Sequence, residues 1–436
     1  MVRASSPDLA TASRFGHRLE ALVAPRPVPR GGTTSAPIQR ALTTDHLGDL
    51  PEALRDQLRP QIEAFNDHVG AAPQEGHEQE HRNRQFEMLH GIDQRINSHL
   101  RDNPTTGDDA RKALFSVLRE SEDHHIAATR QAIQGGDQLW LPNTVDQGDA
   151  KQARRRWDRI RTGSGNVHIQ GDDDFRTETL SSLAKLLQGD HGRRLLNTLD
   201  ADQEDRRKRI WIQRGASSAA VPHNLEHATQ VRGRRGAGTG STVSIAARAN
   251  APASLDDYGS GEHGEAILAP RFLTLGHELG HARHNLAGTT GDIMWHNDPT
   301  DAVQDPIEKA LWTDPEEHQN ITTEENPIRA EHQMPSRQYH AKRGTGRRTR
   351  NQMELTRRLD ALMDTIPPDH RDALGPHIGA IHADMIAPAT DLSNPEHARA
   401  LHARINQEEW TMPARIRMEQ AKALANRFGD KVKSWF

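Results

Sequence analysis

Helical periodicity runs through both ends of this chain. Leu54, Leu58, Ile62 and Phe65 recur at intervals of three and four among polar residues. Leu89, Ile92, Ile96 and Leu100 form a second stripe, and Leu114, Phe115, Leu118, Ile126 and Ile133 a third. Each stripe predicts an amphipathic helix, and the short Gly, Asn, Asp and Pro breaks between them predict a small bundle. The pattern returns after Asn351, at Leu355, Leu359, Leu362 and Ile366, at Ile378, Ile381 and Ile386, and at Leu401 and Ile405.

The middle of the chain reads differently. Gly165 to Gly171 suggests a short strand and turn, Ile210 to Gln213 a strand, and Ser241 to Ala247 an alternating, β-branched strand entered from the Gly-rich stretch Gly233 to Gly240. Leu180, Leu183, Leu186 and Leu187 mark one helix here, and Leu195, Leu196 and Leu199 another. Around Gln134 to Gly163 the composition, with Arg154, Arg155 and Arg156, is that of a linker, as is the basic, glycine-containing run Lys342 to Arg350. These shifts divide the chain into 1–45, a Ser-, Pro- and Arg-rich leader expected to be disordered; 46–150, helical; 155–342, the mixed core; and 350–436, helical. The leader lacks the apolar run of a cleaved signal peptide, and no stretch is long and apolar enough for a membrane span.

Composition narrows the chemistry. Only 34% of residues are hydrophobic, and the net charge is −5 with histidines neutral. That balance, with no aromatics interleaved in the basic run, weighs against nucleic-acid binding. The chain has no cysteine. Disulfides, cysteine nucleophiles and thiolate metal ligands are therefore excluded, and any metal must be held by His and carboxylate.

The densest chemistry lies in Thr274 to Leu286, T-L-G-H-E-L-G-H-A-R-H-N-L, where His277, Glu278 and His281 form H-E-x-x-H. Leu275, Leu279, Ala282 and Leu286 give this stretch an apolar helical face, so residues four apart bring both imidazoles to one side. Two His ligands with a Glu general base are the zinc-peptidase arrangement. The spacing lacks the metzincin extension, since His284 and Ala287 stand where Gly and a third His are needed. The expected third ligand is Glu316 or Glu317, with Glu324 and Glu325 as the alternative pair. Arg337 and Tyr339 are candidates for stabilising the oxyanion. The inverted pattern His223 to His227 lacks apolar flanks, as does Gly76 to His81, and both read as polar surface.

From Gly163 to Tyr339 the sequence resembles the zinc metallopeptidase family of bacterial effectors delivered by type III secretion. The resemblance rests on G-H-E-L-G-H-A, on Glu316-Glu317, on Glu325-Asn326 with Arg329 and Glu331, and on Arg337 with Tyr339. The layout is also similar to clostridial neurotoxin light chains, except that Arg337 and Tyr339 are two apart where that order has three. The resemblance implies Glu316 as ligand and Glu317 as its neighbour. It also implies Zn2+ as cofactor, an uncleaved secretion signal, and cleavage of a host protein, in some relatives a signalling kinase. The expectation is an α+β fold: a zincin-like metallopeptidase core with a small sheet and the H-E-x-x-H helix, flanked by helical regions. The strand at Ser241 to Ala247 would hold substrate by edge pairing. The alternative is a host-protein interaction module whose metal site is only structural.

Overall fold

The computed structural model describes residues 41–200, 205–231, 234–247, 250–252, 254–291 and 315–433. The fold is mixed α+β, mainly helical, with small sheets. Most of the leader, residues 1–40, lies outside the described residues.

After a 3-10 turn at Asp45–Asp49, three helices follow among the described residues: α1 (Glu52–Gly70), α2 (Glu78–Asp102) and α3 (Asp108–Gly135). The sequence stripes Leu54/Leu58/Ile62/Phe65 and Leu89/Ile92/Ile96/Leu100 are buried in one cluster with Leu114, Phe115 and Leu118. That cluster also takes in Leu255, Tyr258, Ala266 and Leu268 from the middle of the chain. The bundle thus shares its core with the loops that lead into the motif helix. A polar tie reinforces the junction: Asp93 on α2 pairs with Lys185 and lies 3.3 Å from His125 Nε2 on α3.

The segment read as a linker around Gln134 to Gly163 is largely helix α4 (Gln147–Thr162). Its arginines mask an apolar stripe at Ala150, Ala153, Trp157 and Ile160, all buried. Asp146 caps its start by accepting from Gly148 N at 2.7 Å. After α4 come β1 (Val167–Gln170), α5 (Asp173–Leu186), α6 (Asp190–Leu199), β2 (Ile210–Gly215), β3 (Ala219–Pro222), α7 (Leu225–Ala228) and β4 (Ser241–Ala246).

The main sheet has the order β1-β2-β4-β3, with β1, β2 and β4 parallel and β3 antiparallel. The strand expected to pair with substrate, β4, is therefore interior, with β2 on one side and β3 on the other. Its alternation reported burial of one face, which an interior strand shares with an edge. Among the described residues β3 is the edge beside β4, and it ends in Pro222, a residue suited to edge strands.

Helix α8 (Arg271–Ala287) carries the motif and packs Phe272, Leu273, Leu275, Leu279 and Ala282 into the sheet core. Gly288, at φ 68°, ends it in the left-handed conformation. A second layer lies across α8: α9 (Pro315–Asn320), a π-helical segment Ile321–Glu325, and α10 (Asn326–Glu331). A small sheet, β6-β5-β7, joins β5 (Gly259–Gly261), β6 (Ala266–Ile267) and β7 (Arg337–Lys342).

The second expected linker, Lys342 to Arg350, is also mostly helix: α11 spans Arg343–Asp364. Its glycines serve close packing. A Cβ on Gly346 would lie 2.0 Å from the Tyr339 hydroxyl, and Arg347 pairs with Asp256 at 3.1 Å. With α12 (Arg371–Ile386) and α13 (Pro395–Lys433), α11 builds a third core of Leu355, Leu359, Leu362, Ile378, Ile381, Leu401 and Ile405. Ile386, expected in that stripe, is exposed, and Met385 is buried in its place. Among the described residues no helix is long and apolar enough to cross a membrane.

Candidate active site

Two helices face each other here: α8, and the run from α9 through the π segment to α10. Gly280 permits the approach, since a Cβ there would fall 2.1 Å from Asn320 Oδ1. Asn320 Nδ2 in turn donates to the His277 carbonyl at 2.9 Å.

The π segment decides which glutamates reach α8. Glu317 and Glu325 are eight positions apart, which in a regular α-helix leaves them about 80° apart around the axis. A π segment takes up one extra residue, so they are related as residues seven apart and differ by only about 20°. Both accordingly meet His277. Glu325 Oε2 accepts from its Nδ1 at 2.8 Å, and Glu317 Oε2 lies 3.3 Å from its Nε2. Glu316 and Glu324 repeat the pattern at His284, at 2.8 Å from Nδ1 and 3.7 Å from Nε2.

His281 lies between these contacts. Its Nδ1 donates to Glu316 Oε1 at 2.9 Å, while its Nε2 lies 3.2 Å from His277 Nε2 and 3.6 Å from Glu317 Oε1. Carboxylates accept only, so the Nδ1 bonds fix the protons of His277 and His281 on Nδ1. Both Nε2 lone pairs then point at each other and at the Glu317 carboxylate. Three Lewis bases in that arrangement could share one cation. Tetrahedral zinc, with bonds of roughly 2.0–2.2 Å, spaces its ligand atoms about 3.3–3.6 Å apart. The observed separations of 3.2, 3.3 and 3.6 Å, the last two to different oxygens of Glu317, lie near that spacing. His281, His284 and Glu316 also cluster, but through Nδ1 contacts at 2.9 and 2.8 Å that are ordinary hydrogen bonds.

Without a metal, protons fill the same role. Burial alone would depress the His281 imidazole, yet its bonds to Glu316 and Glu317 outweigh this and raise it to about 10. His277 is raised too, against burial, by Glu317 and Glu325. Burial would lift Glu316, but the bonds from His281 and His284 hold it down to about 2. Glu278 is 7% exposed, and burial holds its carboxyl above the usual range although both neighbouring imidazoles pull it down.

Glu325, 1% exposed, is further held by Arg329 Nε at 2.8 Å and Arg337 Nη1 at 2.9 Å. Arg337 Nε and Nη2 also reach the carbonyls of Tyr339 and His340 at 3.1 and 2.6 Å. Among the described residues these contacts of Arg337 brace Glu325 and β7. Tyr339 lies against α11. It is buried, with its ring against Gly346 on α11. Successive strand residues alternate sides, and it is His340 that faces the histidines. Its ring lies 6.1 Å from that of His277, nearly parallel to it, and its Nε2 is 3.7 Å from Glu317 Oε2. The three-residue step from Arg337 leads to His340, a signal present in the sequence. The inverted motif at His223 to His227 is polar surface: His223 Nε2 is 3.3 Å from Thr242 Oγ1, and His227 belongs to the short helix α7.

Residues 163–340 match the family model of peptidase M91, described as effector protein. This M91 segment covers under half of the 436-residue chain and contains the whole cluster. The resemblance read from the sequence is to the same kind of family. No curated protein and no solved structure matches the chain. The His and Glu groups of the segment are of a kind that could bind a metal.

Proposed function

We propose that the M91 segment is a zinc-dependent endopeptidase with a zincin-like core, and that the chain acts as an effector cleaving a protein of the cell it enters. His277 Nε2, His281 Nε2 and Glu317 would hold the ion. The observation that carries this reading is the convergence of those three bases at the spacing of a tetrahedral zinc shell, each imidazole turned there by a carboxylate on its Nδ1. Glu317 is preferred over Glu316 because Glu316 bonds the Nδ1 atoms that face away from that centre.

Zinc, when bound, would polarise a peptide carbonyl and lower the pKa of its water toward about 7. Glu278, following His277 on the same helix, is placed to take a proton from the attacking water and deliver it to the leaving amine. Its raised pKa brings the carboxylate nearer to the range in which such transfers work at neutral pH. Glu325 and Glu316 keep the imidazoles oriented, and Arg329 and Arg337 keep Glu325 charged and fixed. The free edge of β3, which packs beside α8, is available for an extended peptide.

Comparison of new protein N-termini in host-cell lysate, treated with wild type or with Glu278→Gln, tests this reading. Cleavage products present only with zinc-loaded wild type are expected. Identical N-termini in both samples would overturn it and favour the interaction-module alternative.

A further inference from the structure

We propose that the groove between α3, α11 and α13 is a docking site for an acidic segment of a protein partner. The inference is independent of the peptidase reading and concerns the basic run Lys342 to Arg350, which the candidate site does not use. The groove, of about 840 Å³, is lined by Asp108 and Lys112 on α3, by the turn at Asp256 and the loop joining β5 to β6, by Arg343 and Arg347 on α11, and by Arg399 on α13. The helical start of the chain, the mixed core and the helical end therefore each supply a wall.

Charge selects the occupant. Lys112, Arg343, Arg347 and Arg399 are set against two carboxylates, Asp108 and Asp256. Asp256 Oδ1 is shared, lying 3.5 Å from Arg343 Nη1 and 3.1 Å from Arg347 Nη2. Backbone carbonyls hold the same two guanidiniums in place: Arg343 Nε donates to Gly264 at 2.9 Å, and Arg347 Nη1 to Ser393 at 3.1 Å. One carboxylate thus serves two fixed guanidiniums, and a positive charge is left over in the groove. Lys112 and Arg399 are exposed, and among the described residues their side chains make no hydrogen bond or ion pair. A run of Glu or Asp supplies the acceptors that these cations lack.

Shape separates a peptide from other polyanions. The Arg343 and Arg347 side chains are 18% and 24% exposed, so they lie below the rim, where a carboxylate on a flexible side chain reaches and a flat bilayer does not. The lining contains no Phe, Tyr or Trp on which bases could stack. Strand β7 runs from Arg337, at the candidate active site, to Lys342, next to Arg343 in the groove. Its length is about 20 Å at 3.3 Å per residue, so a partner held here is kept at high effective concentration near the His and Glu cluster.

Fluorescence anisotropy of a labelled octaglutamate peptide tests this with the full chain as wild type, Lys112→Glu/Arg399→Glu and Arg417→Glu/Lys422→Glu. Both double variants change the net charge equally, and the second pair lies about 27 Å or more along α13 from Arg399. All four residues are exposed, and circular dichroism checks that the fold is kept. The wild type should bind octaglutamate, more weakly as salt is added. The groove variant should lose about tenfold or more in affinity, and the distal variant should stay within about twofold of wild type. Lys112→Gln/Arg399→Gln, which removes the charges without reversing them, should fall between. Equal affinity of the wild type and the groove variant would overturn the assignment, as would failure of the wild type to bind octaglutamate. Binding of phosphatidylserine vesicles or of a single-stranded oligonucleotide in place of the peptide, lost in the groove variant, would also overturn it and give the groove to that polyanion.

Discussion

Glu316 and Glu317 are neighbours with the same side chain, yet they should behave differently when removed. Glu317 faces both Nε2 atoms, at 3.3 and 3.6 Å. Its replacement by Ala deletes one of three protein ligands, and zinc affinity should fall by more than about 100-fold, beyond the bound for an outer partner. Glu316 acts one bond further out, accepting from His281 Nδ1 and His284 Nδ1 at 2.9 and 2.8 Å. Glu316→Ala leaves both N–H groups without that acceptor, and the loss at the ligand His281 costs about 1–3 kcal/mol, or roughly 5- to 150-fold in affinity. Glu316→Gln keeps an acceptor oxygen in place and loses only charge, so its loss should fall at the low end of that range. Competition against a fluorescent zinc chelator at fixed pH measures all three variants, with elemental analysis for stoichiometry. The assignment of Glu317 is refuted if Glu316→Ala empties the site while Glu317→Ala still binds within tenfold of wild type.

Four further outcomes are expected. Glu278→Gln should keep one zinc per chain and lose roughly 10²–10⁴-fold in peptide cleavage, read on a substrate found by N-terminal profiling; retained activity would place the base elsewhere. In the metal-free protein, His281 keeps its proton to about pH 10 when folded but loses it near 6.5 when unfolded. Its stabilising contribution is therefore complete below about pH 6.5 and lost as pH rises toward 10, a decline that saturating zinc should abolish in urea titrations; a curve flat in that window without zinc would contradict the network. On the acid side, burial holds His125 near 4 and His332 near 3, so the unfolded chain takes up protons first and stability should also fall from pH 6.5 toward 4. Arg329→Met should destabilise by about 3–5 kcal/mol in chemical denaturation, because Arg329 and Glu325 are each 1% exposed and the carboxylate would lose a buried partner; a change below 1 kcal/mol would show that Arg337 alone suffices.

The motif helix and the helical ends could be read from the chain because each writes its burial into a regular stripe, as Leu54 to Phe65 and Leu355 to Ile366 do. Three strands of the main sheet were visible and β3 was not, and their order was hidden, since Val243 and Ile245 look alike in an edge or an interior strand. Two helices were hidden by charge: arginines interrupt the stripe of α4, and basic residues with packing glycines gave the start of α11 the composition of a loop. At the site, His277, Glu278 and His281 stand out because helix geometry is local. The division of labour among Glu316, Glu317, Glu324 and Glu325 depends on the π segment, which propensity does not forecast. The sequence reading named Tyr339 and passed over His340, its neighbour on β7 that faces the histidines of α8.

A π segment differs from an α-helix by a single residue, so the glutamate array is in effect the product of one codon. Deleting Thr322 would let Ile321–Glu325 close into regular helix. Glu316 and Glu317 would then swing about 100° relative to Glu325, taking a carboxylate away from His277 and from His284 at once. The reverse step, an inserted codon in an ordinary helix, would bring two pairs of glutamates onto the face opposite a pre-existing His pair. A centre of this kind is thus within reach of a small insertion in a lineage whose ancestor had the helix and no bound ion.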